Sequence, residues 1–174
     1  LLTDEFDVIA LIRSDFTDEP LISKSISKGK LRVYKADLTD YASLKTSLKQ
    51  IKGKEEKIDV LFNNAGNSLP ELITSKQGRE MHYELMTVVP YIILMELKPL
   101  ILEGSMKMVV NTSSKAANVI KNFNPDTLER PTTFKKLVGP YASSKLALSL
   151  WTQEIFWLKV KQRNYIFLSM DERY

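Results

Sequence analysis

The chain has 174 residues, of which 44% are hydrophobic and 26% charged, a composition that suits one globular domain with an ordinary core. It contains no cysteine and one histidine, which excludes Cys/His zinc sites, thiol catalysis and disulfide scaffolds. The net charge of +4 is scattered among acids and apolar residues, as in "KQIKGKEEK" and "KVKQR", without the interleaved aromatics of a single-strand platform, so nucleic-acid binding is not expected.

From the N-terminus, "FDVIALI" (6–12) reads as a strand, and "SKSISKGK" passes through a glycine turn to a second strand, "LRVYKA" (31–36). "DLTDYASLKTSLKQIKG" predicts a helix. Thr39 and Asp40 are its N-cap candidates, Leu44, Leu48 and Ile51 its apolar stripe, and Gly53 its stop. "IDVLF" (58–62) is a third strand that breaks at Asn-Asn. A long helix follows from about Lys76 to Leu102. His82, in the polar run "QGREMHYE", is expected on that helix's surface. The apolar run 88–102 is 15 residues long and carries Glu96, Lys98 and two prolines, so it is read as a buried helix and not as a membrane span. "MKMVVNTSS" (106–114) is the fourth strand, and an irregular stretch holds Pro125 and Pro131. Pro140 precedes the helix "YASSKLALSLWTQEIFWLKVKQR", and "NYIFLS" (164–169) is the last strand. With no signal peptide visible and no cysteine, a cytoplasmic location is expected. Alternation of this kind calls for a parallel sheet with helices on both faces.

Ligands of such sheets sit beyond the carboxyl ends of the strands. Those ends carry Arg13, then Asp37-Leu38, then Asn63-Asn64-Ala65-Gly66, then the hydroxyls of "NTSS". Tyr141 and Lys145, in "YASSK", lie one helical turn apart. Taken singly, Asn-Asn-Ala-Gly could be a turn, Ser113-Ser114 an N-cap and the Tyr–Lys pair a solvated helix turn.

The order "DL", "NNAG", "NTSS", "YASSK" resembles the short-chain dehydrogenase/reductase family. The run "QGREMHYELMTVVPYIILMELKPLI" resembles the matching helix of its retinol-dehydrogenase-like branch, which includes many fungal members. The resemblance spans Phe6 to about Ser169. It implies a Rossmann-type, doubly wound α/β sheet in one dinucleotide-binding domain (1–174), and hydride transfer between a nicotinamide cofactor and a small alcohol or carbonyl substrate. Tyr141 is then the general acid/base. A free phenol titrates near 10, and a cation one turn away stabilises the phenolate and lowers that value. Lys145 is its partner and also reaches the cofactor ribose. Ser114 hydrogen-bonds the substrate oxygen, and its 27-residue spacing from Tyr141 agrees with the branch. Arg13 favours NADP over NAD by facing the 2′-phosphate, Asp37 and Leu38 flank the adenine, and Asn63, Asn64, Ala65 and Gly66 flank the adenosine ribose.

The resemblance also shows departures. A glycine-rich phosphate loop and the strand before it would precede Phe6, and the Pro-Gly and C-terminal strand expected after "NYIFLS" are not present, so the chain reads as a fragment. Met86 stands where an asparagine of the family supports a water-linked proton relay. Helices 76–102 and 141–160 resemble those through which family members pair as homodimers; Trp151, Phe156 and Trp157 give the second helix apolar surface, which a buried core helix explains equally well. The alternative is a catalytically silent dinucleotide-fold protein that acts through binding partners.

Overall fold

The computed structural model describes residues 1–3, 6–160 and 166–172, with side chains through residue 155. They gather into two compact units, Leu1–Lys54 and Glu55–Tyr174.

In the N-terminal unit, β1 (Val8–Ile12) and β2 (Leu31–Lys35) pair in parallel, with Val8 opposite Leu31 and Ile12 opposite Lys35. Parallel pairing requires a crossover, and α1 (Pro20–Ser27) supplies it. This helix is missed by the sequence pattern, because "LISKSIS" has only a thin apolar stripe. It is set by local chemistry: Pro20 occupies its first turn, and Gly29 turns the chain at φ 71°. Helix α2 (Tyr41–Lys54) starts where Asp40 Oδ1 accepts from the amides of Ala42 and Ser43. Its buried Leu44, Leu48 and Ile51 are each about 1.5–3 kcal/mol better placed there than in water.

In the C-terminal unit, β3 (Val60–Asn63), β4 (Met108–Ser114) and β5 (Ile166–Glu172) form a parallel sheet in the order β3-β4-β5. The strand expected over 164–169 is thus found from Ile166, and residues 164 and 165 lie outside the described ones. Between β3 and β4 runs α3 (Met81–Glu103), and between β4 and β5 runs α4 (Pro140–Val160). Parallel strands with crossover helices give the α/β, Rossmann-type class expected from the alternation.

Helix α3 begins five residues later than the sequence suggests. Gly78 turns the chain at φ 80°, Thr74 bridges Glu80, and Glu80 caps the helix by accepting from the Tyr83 amide. Residues Glu84–Val88 form a π-helical turn in which the Val89 amide reaches the Glu84 carbonyl. Pro90 has no N–H to offer the carbonyl of residue 86, so a regular α-turn would be broken there in any case. At 23 residues, α3 is long and apolar enough by length and composition to cross a bilayer, more so than the run 88–102 alone suggests. Its Val89, Pro90, Ile93, Leu94, Leu97 and Ile101 are buried within the unit, which is the use a core helix makes of such residues.

Candidate active site

The site residues expected in the N-terminal unit lie at its strand ends. Arg13 follows β1 directly and is exposed; Asp37 and Leu38 follow β2. Asp37 Oδ1 accepts from the Thr39 hydroxyl at 2.8 Å and the Thr39 amide at 2.9 Å. Those two bonds hold the Asp37 carboxyl below its usual range; burial opposes them, and the Arg13 charge adds a weaker pull in the same direction as the bonds.

The other residues lie in the C-terminal unit, where a buried polar ladder ties β3 to β4 and β4 to α4. Asn63 Nδ2 donates to Asn111 Oδ1 at 2.7 Å, Asn111 Nδ2 donates to the Thr152 hydroxyl at 2.8 Å, and that hydroxyl donates to the Leu148 carbonyl at 2.6 Å. Asn111 is completely buried. Asn64 accepts from the Thr112 hydroxyl at 2.8 Å, and the Ser113 and Ser149 hydroxyls share a bond of 2.6 Å. Sequence reasoning assigns no role to Asn111, Thr152 or Ser149. The signal was available, since an asparagine inside the apolar run "MVVN" needs a partner if the strand is buried.

Lys145 and Tyr141 are both buried, at 2% and 8% exposure, so the solvated-turn alternative fails. The Lys145 ammonium donates to the Thr112 carbonyl at 2.7 Å and lies 6.0 Å from the centre of the Tyr141 ring. Ser114, half-buried at the end of β4, accepts from the Ala116 amide and so caps the 3-10 turn Lys115–Val119. Asn64, Ala65 and Gly66 are exposed. A Cβ at Gly66 would stand 3.2 Å from Met86 Sδ and 3.7 Å from Lys145 Nζ, so the bare glycine backbone is what permits this approach. Met86 itself is 1% exposed.

His82 corrects the sequence expectation: it is buried at 2%, not on the helix surface. The polar run misleads because Gln77–Glu80 precede the helix, and because the imidazole carries its own partners. Glu80 Oε1 lies 2.6 Å from Nδ1, and Nε2 accepts from the Leu69 amide at 3.0 Å. Beside this pair, Glu84 is fully buried and receives bonds from Arg79 at 3.4 Å and Ser75 at 3.3 Å. Trp151 packs edge-on against Tyr91 at 6.0 Å, while the side chains of Phe156 and Trp157 lie outside the described residues.

The family model for short chain dehydrogenases matches residues 1–125. The chain belongs to the short-chain dehydrogenase family. It is 31% identical over 129 residues to a short-chain dehydrogenase/reductase of Armillaria gallica, an alignment that covers 68% of this chain and 40% of the relative. It is 28% identical over 119 residues to retinol dehydrogenase 13 of Homo sapiens, covering 68% and 36%. An uncharacterized oxidoreductase of Schizosaccharomyces pombe matches at 30% over 151 residues, covering 85% and 55%. This short-chain dehydrogenase thus spans about half the length, or less, of the curated relatives it matches. Its fold is shared with the NADPH-bound carbonyl reductase from chicken fatty liver, with a TM-score of 0.64 and 20% identity over 95% of this chain and 67% of that one. It is shared also with a Mycobacterium paratuberculosis protein, with a TM-score of 0.70 and 22% identity over 97% and 59%.

Proposed function

We propose that this short-chain dehydrogenase is an NADP-dependent oxidoreductase of small alcohol or carbonyl substrates, with Tyr141 as general acid/base, Lys145 as its cationic partner and Ser114 as the donor to the substrate oxygen. The observation that carries this reading is the burial of Tyr141 and Lys145 together, one helical turn apart, with the Lys145 ammonium bonded to Thr112 in the last residues of β4. A phenol at Tyr141 can pass a proton to or from a substrate oxygen, and the Lys145 ammonium stands 6.0 Å from its ring. A hydroxyl at Ser114 meets charge developing on the substrate oxygen.

The bare backbone at Gly66, within reach of Lys145 Nζ, suits close approach by a nucleotide. Asn63, Asn64, Ala65 and Gly66 would hold the adenosine ribose, Asp37 and Leu38 the adenine, and Lys145 with Tyr141 the nicotinamide ribose. The exposed guanidinium of Arg13 would take the 2′-phosphate, the reason for preferring NADP to NAD. When bound, the nicotinamide supplies or accepts the hydride. Tyr91, Met95 and Leu150, exposed on α3 and α4, offer apolar surface for a homodimer.

Met86 favours a second reading, a catalytically silent dinucleotide-fold protein. Its thioether fills the space beside Gly66 where the resemblance implies a relay asparagine, and a thioether is a weak acceptor that cannot hold a relay water. One experiment separates the two. In the full-length natural protein, Tyr141→Phe lowers NADPH-dependent carbonyl reduction at least about a hundredfold, while cofactor affinity falls by no more than about tenfold, the scale of one lost hydrogen bond. Near-normal turnover by this variant refutes the proposed acid, and absence of turnover in the unmodified protein selects the silent reading.

A further inference from the structure

We infer that the buried Glu80–His82 pair is a positioning device for the candidate site, anchoring the segment that leaves the Asn63–Gly66 turn and backing the ring of Tyr141.

A backbone N–H can only donate, so the 3.0 Å contact with the Leu69 amide makes His82 Nε2 an acceptor without a proton. The ring proton is therefore on Nδ1, where it meets Glu80 Oε1 at 2.6 Å. The other Glu80 oxygen accepts from the Tyr83 amide at 2.8 Å. The Glu80 amide donates to the Glu129 carbonyl at 2.8 Å, and the Met81 amide to the Ile73 carbonyl at 2.9 Å. The carboxylate is thus fixed by the first turn of α3 and by two neighbouring segments, and it orients an imidazole that holds one amide three residues past Gly66. The same imidazole stands edge-on to the Tyr141 ring, with centroids 5.8 Å apart and planes at 88°. A histidine that only filled core space would need neither the carboxylate nor the amide, and burying this polar pair is unfavourable unless its bonds are made.

The positioning role for Tyr141 rests on the proposed acid/base assignment, whereas the readouts below involve no turnover, so their failure leaves that assignment where it stands. In the ¹⁵N spectrum of the labelled full-length protein the ring-nitrogen signals of His82 are identified by their loss in His82→Gln. At neutral pH the expected spectrum is that of the neutral Nδ1–H tautomer; an Nε2–H tautomer overturns the inference. Hydrogen exchange at the Leu69 amide provides the second measurement. His82→Phe keeps the ring edge and loses both bonds, so exchange at Leu69 is expected to quicken about tenfold or more, while β4 amides keep their rates. His82→Gln, whose carbonyl can take the place of Nε2, is expected to return Leu69 to within about threefold of the unmodified protein. Unchanged Leu69 exchange in His82→Phe overturns the proposal, as does failure of Gln to restore it. If His82→Phe does not fold, the tautomer and the Gln variant decide.

Discussion

Asn111 is the joint between strand and helix in the C-terminal unit, and its removal has a cost that can be worked from its partners. Asn111→Ala deprives Asn63 Nδ2 of its acceptor at a position only 9% exposed. Thr152 loses a donor but still gives its own proton to the Leu148 carbonyl, so its loss is mild. One orphaned buried donor costs about 1–3 kcal/mol, and the void left by the amide adds about 1 kcal/mol. The expected destabilisation is therefore about 2–4 kcal/mol. Both tryptophans, Trp151 and Trp157, lie on α4, so fluorescence during urea unfolding reports on this unit. Asn111→Asp sharpens the test. The carboxylate keeps the bond from Asn63, but the Thr152 proton is already committed, so the new charge is buried with too few donors. Burial raises its pKa above the unfolded value of about 3.9. The penalty is then fully present above the folded pKa and fades as pH falls toward the unfolded one, so this variant loses more stability at pH 7 than near pH 4. A cost under about 0.5 kcal/mol for the Ala variant, or an Asp variant whose deficit ignores pH, refutes the reasoning.

At Gly104 an added Cβ would stand 2.2 Å from the Ile58 carbonyl oxygen and 2.9 Å from the Asp59 Cα, both backbone, so Gly104→Ala is expected to destabilise the C-terminal unit by about 1–3 kcal/mol in the same urea assay. Asp59 accepts from the Ser105 amide at 2.6 Å and the Ser105 hydroxyl at 2.8 Å, bonds that lower its carboxyl pKa. Its contribution is present above the unfolded pKa and is lost as pH falls through the lower folded one, so Asp59→Asn should flatten the acid limb of the stability profile. In full-length protein, Met86→Asn is expected to raise turnover, measured with a solvent isotope effect, because an amide can hold a water beside Lys145; an unchanged rate means the proton takes another route. Arg13→Ala should weaken NADPH binding by about tenfold and leave NADH binding unchanged in a nicotinamide-fluorescence titration.

Most strands and both long helices were legible because their apolar spacing is regular. "FDVIALI", "LRVYKA" and "MKMVVNTSS" fall within two residues of the strands found. The start of α3 was not legible, since Gly78 and the Glu80 cap end a polar stretch that looks helical by composition. The position of His82 was hidden for the same reason. Nothing in "MHYE" announces that the imidazole meets Leu69, because that contact joins residues on two different segments through the backbone of one of them. Tyr141 and Lys145 were legible as a pair only through the company of "NNAG" and "NTSS", and their burial is what the fold added.

Within the C-terminal unit, the position of that pair is set less by apolar packing than by a polar register. Along β4, Asn111 and Ser113 point to one face, as alternation requires, and meet Thr152 and Ser149 on α4. The strand advances from 111 to 113 while the helix partner steps back from 152 to 149, so strand and helix run in opposite directions. One further turn back along the helix is Lys145, whose carbonyl accepts from Ser149 at 3.0 Å and whose ammonium donates to the Thr112 carbonyl. Residues 145, 149 and 152 follow the i, i+4, i+7 spacing of a single helix face. Apolar ridges tolerate a slip of the helix along its axis at modest cost, but a slip of one turn here would leave Asn111 and Ser113 buried without their partners. The ladder therefore fixes where Lys145, and with it Tyr141 one turn earlier, stands along the last residues of β4. Thr152→Val, far from Tyr141 in sequence, is accordingly expected to loosen that register and quicken hydrogen exchange in the first turns of α4 more than in β3. Equal protection of those turns in the variant and the unmodified protein would show that apolar contacts alone hold the pair in place.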